Sequence, residues 1–464
     1  MGSKPTRVAE PLPGREFPGR YAGQRIDEWL LQKRRVDQSK WQMTCSDRML
    51  WCIHGKFYDL SPFVDKHPGG REWLLITQGT ECTGAFETHH LDIEKANKWL
   101  APYYVKDSPA LGTARSEFDW SPMVDGRPNF YVTLRAKVLH YLKSTYGEKG
   151  WKNPHGRMHV LSAIALSLFM AAFVHLLMRP SYMSAILAGL ALHPLIGVGH
   201  NFFHQSDNSQ GSLWKYVFNL TCFSFHEWRI SHVFSHHLYI NLLCDVEATA
   251  VEHFVAFLTC VPTNSVLVFV YWHVFNLILP IYSYTRHWWL LLTGVASFRW
   301  DEMVPLAQLL AIYLLACGAG GSAAMLEALS LFALMHGVAA YVLLLVSTPV
   351  HRGEECWSEG NAGATYDFGL HTVMSTRDYH VKCSLPVSLF AFEMFNDHVM
   401  HHLFCQIDIS YIAELRPIFE EHLAKYGLSK HGRSRTFWGL FRGVVKNWWR
   451  VKKGAGYWDD KMVG

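Results

Sequence analysis

Residues 397–404, DHVMHHLF, place three histidines within five positions, close behind a strongly apolar part of the chain. On a helix, His398, His401 and His402 stand at i, i+3 and i+4, so one helix face carries three imidazoles. Imidazole is the commonest metal ligand among side chains. The segment therefore predicts one part of a metal site whose remaining ligands come from elsewhere in the chain.

Two more groups of histidines have similar spacing. The stretch GHNFFHQSDN, residues 199–208, contains His200 and His204, and FHEWRISHVFSHHLYIN, residues 225–241, contains His232, His236 and His237. With the first segment, these groups supply eight histidines, which can bind two metal ions. Imidazole ligands suit zinc, copper, iron or nickel. Nearby side chains able to orient these imidazoles are Asp207, Asp245, Asn396 and Asp397.

The composition indicates a membrane protein. The 464-residue chain is 50% hydrophobic and 18% charged, below the roughly 25% charged residues of soluble domains. Four apolar stretches approach the roughly 20 residues that cross a bilayer, and they are 158–178, 181–199, 303–320 and 324–350. We expect a fifth stretch, 254–283, to be interfacial or re-entrant, because an even number of crossings must separate histidine groups that share one membrane face.

The remaining composition narrows the class further. A net charge of +4 comes with no nucleic-acid-binding motif, so no nucleic acid partner is expected. The ten cysteines form no CxxC pair or disulfide-like framework, which favours reduced thiols facing the cytosol. Residues 1–40 are polar and are expected to be disordered, and residues 107–128 have the proline and glycine of a linker. The basic and aromatic tail, residues 426–464, suits an anionic cytosolic membrane surface.

A separate motif lies before the apolar stretches. Residues 67–70 read HPGG, a tight turn able to place His67 at a helix end. A haem iron with two axial imidazoles needs histidines from opposite walls of an apolar cleft. The flanking order, with WCI at 51–53, GKFYDL at 55–60 and then Gly79, Thr83 and Phe86, resembles the cytochrome b5 haem-binding domain over residues 41–106.

The resemblance implies a haem b with His67 as one axial ligand and one-electron transfer from a reductase. In versions of the domain fused to lipid-modifying enzymes, the second ligand stands four positions after a phenylalanine and directly after an aromatic residue. Counting from Phe86 predicts His90 as that ligand, with His89 where the aromatic residue usually stands. His89 remains the alternative. A fused haem carrier also favours iron in the histidine-rich site, because zinc has no redox chemistry.

The pattern H-x3-H, H-x3-HH, H-x2-HH resembles the membrane fatty acid desaturase and hydroxylase superfamily over roughly residues 150–425. WRISH before the second group and FNDHVMHHLF around the third add to the similarity. The whole chain resembles a cytochrome b5-fused desaturase, and it is similar to the animal proteins called cytochrome b5-related. This implies a small α+β haem domain followed by an all-α, multi-span membrane domain over residues 129–425, with about four transmembrane helices and further interfacial helices.

The same resemblance implies an O2-dependent desaturase acting on a fatty acyl or lipid substrate. Its cofactors would be haem b and two non-haem iron ions, and its electrons would come from NADH-cytochrome b5 reductase. The implied location is the endoplasmic reticulum membrane, among membrane lipids, with the haem domain and the histidines facing the cytosol. Two alternatives stay open: a fatty acyl or sphingolipid hydroxylase on the same scaffold, and a catalytically silent membrane haem electron carrier.

This chain differs from the pattern of its relatives in one residue and one spacing. Front-end desaturases with a fused haem domain typically have glutamine where this chain has His398, and three residues separate His232 from His236 where two are commoner. Substrate rules of front-end enzymes therefore do not transfer to this chain. Family members often use one more histidine before the third group, and the candidates are His351, then His371, then His380.

Overall fold

A small α+β domain and a helical domain follow each other along the chain. The computed structural model describes residues 26–114, 116–242, 244–249, 265–294, 296–353, 355–357, 365–379, 382–431 and 435–452. Helices and strands are numbered below in chain order.

The first domain is built on a three-stranded antiparallel sheet in the order β1–β2–β3. Its strands are β1 (Trp51–Ile53), β2 (Lys56–Tyr58) and β3 (Tyr104–Asp107). Both residues of the β1–β2 turn, His54 and Gly55, have positive φ, as a two-residue hairpin turn requires. Three helices pack beside the sheet, namely α2 (Arg71–Thr77), α3 (Thr83–His89) and α4 (Ile93–Leu100). Short 3-10 turns lie at Ser46–Met49, Ser61–Lys66 and Ala101–Tyr103.

A helix precedes this domain where disorder was expected. α1 spans Ile26–Lys40, so the expectation of disorder over residues 1–40 is wrong for this part, and residues 1–25 lie outside the described residues. The helix is fixed by tertiary contacts, since Trp29 is 1% exposed and its indole N–H donates to the carbonyl of Cys244, 2.8 Å away. A local sequence pattern does not reveal a partner more than 200 residues away.

The segment expected to be a linker, residues 107–128, is also packed against the helical domain. It contains a small hairpin of β4 (Met123–Val124) and β5 (Arg127–Pro128). The Asp119 amide donates to the Tyr366 carbonyl at 2.9 Å, and the buried Phe118 ring packs edge-on against Phe368. The connection therefore helps to hold the two domains together.

The described part of the second domain is mainly helical. Its α-helices are α5 (Phe130–Gly150), α6 (Gly156–Met178), α7 (Tyr182–Phe203), α8 (Phe225–Trp228), α9 (Val246–Thr249), α10 (Ser265–Leu292), α11 (Val304–Ala311), α12 (Gly321–Arg352), α13 (Phe368–Ser375), α14 (Leu385–Phe392), α15 (His398–Leu403), α16 (Ile409–Lys425) and α17 (Phe437–Lys452). Two π-helical segments cover Arg229–His236 and Ile312–Ala316, and 3-10 segments cover Ser212–Leu220, Trp300–Met303 and Phe395–Asp397.

Three of these helices are long and apolar enough to cross a membrane, as far as the described residues extend. They are α6, α7 and α12. The structure corrects the fourth expected span, 303–320: an α-helix of 8 residues runs directly into a π-helical segment of 5, and together they are shorter than the roughly 20 residues that a crossing needs. Of the stretch 254–283, expected to be interfacial or re-entrant, residues 265–283 lie in α10, and residues 254–264 lie outside the described part.

The membrane helices position the ends that carry histidines. α7 packs against both α6 and α12. Gly189 makes this possible, because a Cβ at that position would collide with the Met335 carbonyl oxygen of α12. α7 and α12 end side by side, since His200 lies in the last turn of α7 and His351 in the last turn of α12.

Candidate metal centre and haem site

The structure gathers the three histidine groups at one place. His200 and His204 lie at the end of α7, the second group lies on the π-helical segment Arg229–His236 and its next residue, and the third group lies on α15. All eight side chains are buried, each exposed by 6% or less.

The π-helical geometry explains the unusual spacing of the second group. The His237 amide donates to the His232 carbonyl, a bond between residues five positions apart. Because a π-helical turn accommodates one more residue than an α-helical turn, the extra residue before His236 does not rotate the histidines off the shared face. π-helical turns occur often at functional sites for this reason.

The imidazole nitrogens converge in two adjacent sets. In the first set, the Nε2 atom of His200 lies 2.9 Å from that of His232 and 3.1 Å from that of His401, and His237 and His232 are 3.0 Å apart. His204 completes this set, because one ring nitrogen from each of the five residues lies within 4.8 Å of the others.

The second set includes a histidine from outside the three groups. The Nε2 atom of His351 lies 3.2 Å from that of His236 and 2.7 Å from that of His398. His398 and His402 are 3.0 Å apart. The two sets touch, since the rings of His237 and His402 stack with their centroids 3.9 Å apart.

These nitrogens suit transition-metal ions. Both ring nitrogens of His204 are buried without a hydrogen-bond partner among the described residues, and such groups are costly unless a ligand satisfies them. Burial, together with neighbouring His232 and His236, lowers the pKa of His401 to about 3, so its imidazole is neutral and able to bind a metal. Five and four imidazoles form donor sets typical of zinc, copper, iron or nickel sites.

Two carboxylates orient the histidines from behind. Nδ1 of His236 lies 2.9 Å from the buried Asp245 carboxylate, and Nδ1 of His232 lies 3.0 Å from Glu247. Burial lowers the pKa of His236, but the charges of Asp245 and Glu247 outweigh this effect and raise it overall. A carboxylate behind a ligating histidine fixes the tautomer that presents Nε2 to a metal.

Not all of the side chains that were expected to orient the imidazoles contact them. Asp245 has the expected contact, and sequence reasoning missed Glu247. Asp207 instead binds Arg229 and Lys215, and Asp397 accepts a hydrogen bond from Arg416. Asn396 donates to Asp397, so it too contacts a neighbour of the histidines.

Of the three extra histidine candidates, His351 lies in the cluster. His371 donates through Nε2 to the Ile240 carbonyl at 2.8 Å, away from the converging nitrogens. His380 lies outside the described residues.

In the first domain, His67 and His90 face each other. Their ring centroids are 6.1 Å apart and their planes are inclined by 71°. Nδ1 of His67 donates to the Gly70 carbonyl and Nδ1 of His90 to the Phe86 carbonyl, each at 2.9 Å, which leaves both Nε2 atoms free. Burial lowers the pKa of His90 to about 4, so the ring is neutral. This pair suits a haem iron, which takes one neutral imidazole on each side.

His89 points away from this pair. Its Nδ1 donates to the Ala85 carbonyl at 3.0 Å, and its Nε2 lies 3.7 Å from Sγ of Cys405 in the helical domain. Its ring stacks on Phe234, which lies between His232 and His236 in the sequence. The two candidates for the second haem ligand thus have different surroundings, and only His90 faces His67.

The fold and these clusters define a protein with membrane-length helices, a buried cluster of histidines able to hold metal ions, and a small α+β domain in front. Residues 36–107 match the model of the cytochrome b5-like haem/steroid binding domain, and residues 177–434 match that of the fatty acid desaturases. The chain belongs to the fatty acid desaturase family, in the group with a fused cytochrome b5-like domain, and it is an oxidoreductase.

Known relatives extend over most of the chain. A cytochrome b5-related protein of Drosophila melanogaster is 32% identical over 81% of this chain and 83% of its own length. An acyl-lipid (8-3)-desaturase of Mortierella alpina is 24% identical, covering 85% of this chain and 92% of its own. A probable Delta(5) fatty acid desaturase C of Dictyostelium discoideum is 24% identical over 85% of this chain and 89% of its own.

Proposed function

We propose that this chain is an O2-dependent fatty acyl desaturase that receives electrons through its own haem domain. One observation carries the proposal: nine buried imidazoles converge in sets of five and four, within the same chain as a facing histidine pair of the cytochrome b5 type. A redox-inactive metal would leave the haem domain without a purpose.

The two sets of histidines would each hold one iron. The first set is His200, His204, His232, His237 and His401, and the second is His236, His351, His398 and His402. Asp245 and Glu247 keep His236 and His232 in the tautomer that presents Nε2. In the haem domain, His67 and His90 would be the axial ligands, each held by a backbone carbonyl on its other nitrogen.

When bound, the two irons supply the O2 activation and the hydrogen abstraction that an unactivated methylene group requires. The protein holds the ligands in a buried site, which excludes water. The single electrons that this chemistry consumes would reach the chain from a nicotinamide-dependent cytochrome b5 reductase.

The substrate is a fatty acyl chain, in keeping with the family, and the membrane helices bring such a chain to the site. We place the protein in the endoplasmic reticulum membrane, with its haem domain and histidines towards the cytosol, where reduced thiols persist. A hydroxylase on the same scaffold is the main alternative. An alkene product has two hydrogens fewer than its substrate, whereas an alcohol has one oxygen more.

Lipid profiling by mass spectrometry tests the proposal after expression in a host that lacks the protein. The wild-type chain should produce acyl chains with one additional double bond, and His401→Ala should produce none while keeping the haem spectrum. His175→Ala, which changes an exposed histidine of α6, is the matched control and should retain the product. Hydroxylated acyl chains, or a product retained by His401→Ala, would contradict the proposal.

A further inference from the structure

The guanidinium of Arg229 lies at the junction of the two domains. Its side chain is fully buried, and it stands three residues before His232 on the same π-helical segment. Nε donates to the Phe203 carbonyl at 3.0 Å, beside His204. Nη2 donates to Asp207 at 2.6 Å, just beyond the first histidine group.

The same guanidinium reaches into the haem domain. Nη1 donates to the Glu72 carboxylate at 3.1 Å, and the guanidinium carbon lies 4.6 Å from the centre of the Trp73 ring. Glu72 also accepts from Arg299 at 2.8 Å. Charge-assisted bonds of this forked kind fix orientation as well as distance. We call Arg229, Glu72 and Asp207 the Arg229 clamp.

Backbone contacts reinforce the clamp at the HPGG turn. The Asp207 amide donates to the Gly69 carbonyl at 2.8 Å, and the Ser206 hydroxyl donates to the Pro68 carbonyl at 2.7 Å. Gly70 has φ of +109°, and a Cβ there would lie 2.5 Å from the Asp207 carboxylate. The turn that carries His67 is thereby pressed directly against the segment that follows His204.

The clamp brings together side chains adjacent to both proposed redox sites. His89 precedes His90 and packs on Phe234, which lies between His232 and His236. His89 also contacts Cys405, three residues after His402. Packed contact therefore runs without interruption from the haem-ligand pair to the histidine cluster.

We infer that Arg229 is a positioning residue that docks the haem domain on the histidine cluster, through Glu72, in the arrangement used for electron delivery. The purpose of this docking rests on the proposed function, whereas the docking itself does not. No bond forms or breaks at Arg229, which acts through the placement of the domain it holds.

Glu72→Arg in the full-length holoprotein tests the inference, because it sets a third cation against Arg229 and Arg299. Hydrogen exchange at the Asp207 amide, measured by mass spectrometry, should become at least about tenfold faster, the effect of losing roughly one charge-assisted hydrogen bond. Reoxidation of the chemically reduced haem in air should slow by a similar factor or more. Glu72→Gln should give smaller changes in the same directions.

Glu94→Arg is the matched control, since Glu94 is an exposed glutamate of the same domain, and it should alter neither rate. An unchanged haem absorption spectrum establishes that the haem domain of each variant is folded. Unchanged exchange in Glu72→Arg would overturn the docking role, and faster exchange with unchanged haem reoxidation would overturn the role in electron delivery.

The two proposals fail in different ways. A wild-type protein without acyl product, but with exchange that responds to Glu72→Arg, refutes the desaturase proposal and supports the clamp. A wild-type protein that makes product, with neither rate responding to Glu72→Arg, refutes the clamp and leaves the desaturase proposal standing.

Discussion

At the scale of single residues, the carboxylates behind the histidines are the most informative side chains. Asp245 and Glu247 contact the Nδ1 atoms of His236 and His232, opposite the converging Nε2 atoms. Removing such a partner typically costs about 10- to 100-fold in metal affinity. We therefore expect Asp245→Asn and Glu247→Gln to lower iron retention by about that factor, measured as iron per haem during dialysis against a chelator.

Asp65→Asn serves as the control for these two variants, because Asp65 is a largely exposed carboxylate of the haem domain. It should retain iron like the wild type. Wild-type iron retention in both Asp245→Asn and Glu247→Gln would show that these carboxylates do not support the metal ligands.

The buried carboxyl group of Glu81 in the haem domain gives a pH-dependent prediction. Burial, with the neighbouring Glu117 charge, raises the pKa of Glu81 from 4.5 to about 7, although Lys33 opposes the shift. The folded state therefore favours the protonated form of Glu81. This preference stabilises the folded protein below about pH 4.5, and the stabilisation is lost as the pH rises through about 7. The loss is on the order of 3 kcal/mol.

Glu81→Gln keeps an oxygen able to accept from the Thr83 amide and has no proton to lose. Its thermal midpoint, followed by haem absorbance, should therefore fall less between about pH 5 and pH 8 than that of the wild type. An equal fall in both proteins would contradict the assignment of this pH dependence to Glu81.

Some residues of the site could be predicted from the sequence, and others could not. Spacing alone selects the eight histidines of the three groups, because i, i+3 and i+4 neighbours share a helix face. Glu247 could not be found in that way, since it lies fifteen positions after His232 and comes back to it through an irregular turn. Asp207 adjoins the first group in sequence, yet its carboxylate points to Arg229, 22 positions further along the chain.

At the scale of elements, the HPGG turn carries His67 and also packs against Asp207 at the domain junction. Gly70→Ala should loosen the domain junction, because its Cβ would lie 2.5 Å from Asp207 as well as sitting at positive φ. Exchange at the Asp207 amide should rise, measured as before by mass spectrometry. Gly126→Ala is the comparison variant, because Gly126 also has positive φ but open space around it.

Positive φ is common to both positions, but Gly70, with ψ of 155°, lies in a region essentially confined to glycine, so Gly70→Ala is the more strained variant. Only Gly70→Ala should therefore affect the junction. Equal exchange at Asp207 in the two variants would mean that the close approach of Gly70 and Asp207 does not matter for docking.

The elements that sequence reasoning missed are those fixed by distant contacts. α1 was expected to be disordered because its residues are mainly polar, but Trp29 is buried against Cys244. The apolar stretch 303–320 has the composition of a membrane span, but its helical part is too short to cross a bilayer. The small α+β domain and the long helices α6, α7 and α12 were predictable, since local patterning and length decide them.

At the scale of the whole molecule, one chain joins a cytochrome b5-like domain to a buried cluster of nine imidazoles. Five described segments of the first part contact the helical domain: α1, the HPGG turn, α2, α3 and the connection before α5. Within α3, Glu87 accepts a hydrogen bond from Arg135 of α5 at 2.7 Å. Such contacts keep the haem domain beside the histidines, in keeping with a chain that carries its own electron donor.

We propose that nine histidines hold two irons in a chain that also holds one haem. The most direct measurement is the metal content of the purified full-length protein by mass spectrometry, with haem measured separately from its absorption spectrum. We predict about two non-haem irons and one haem per chain, with His401→Ala losing non-haem iron and keeping haem. A wild-type protein that contains haem without non-haem iron, or with zinc in its place, would contradict the account.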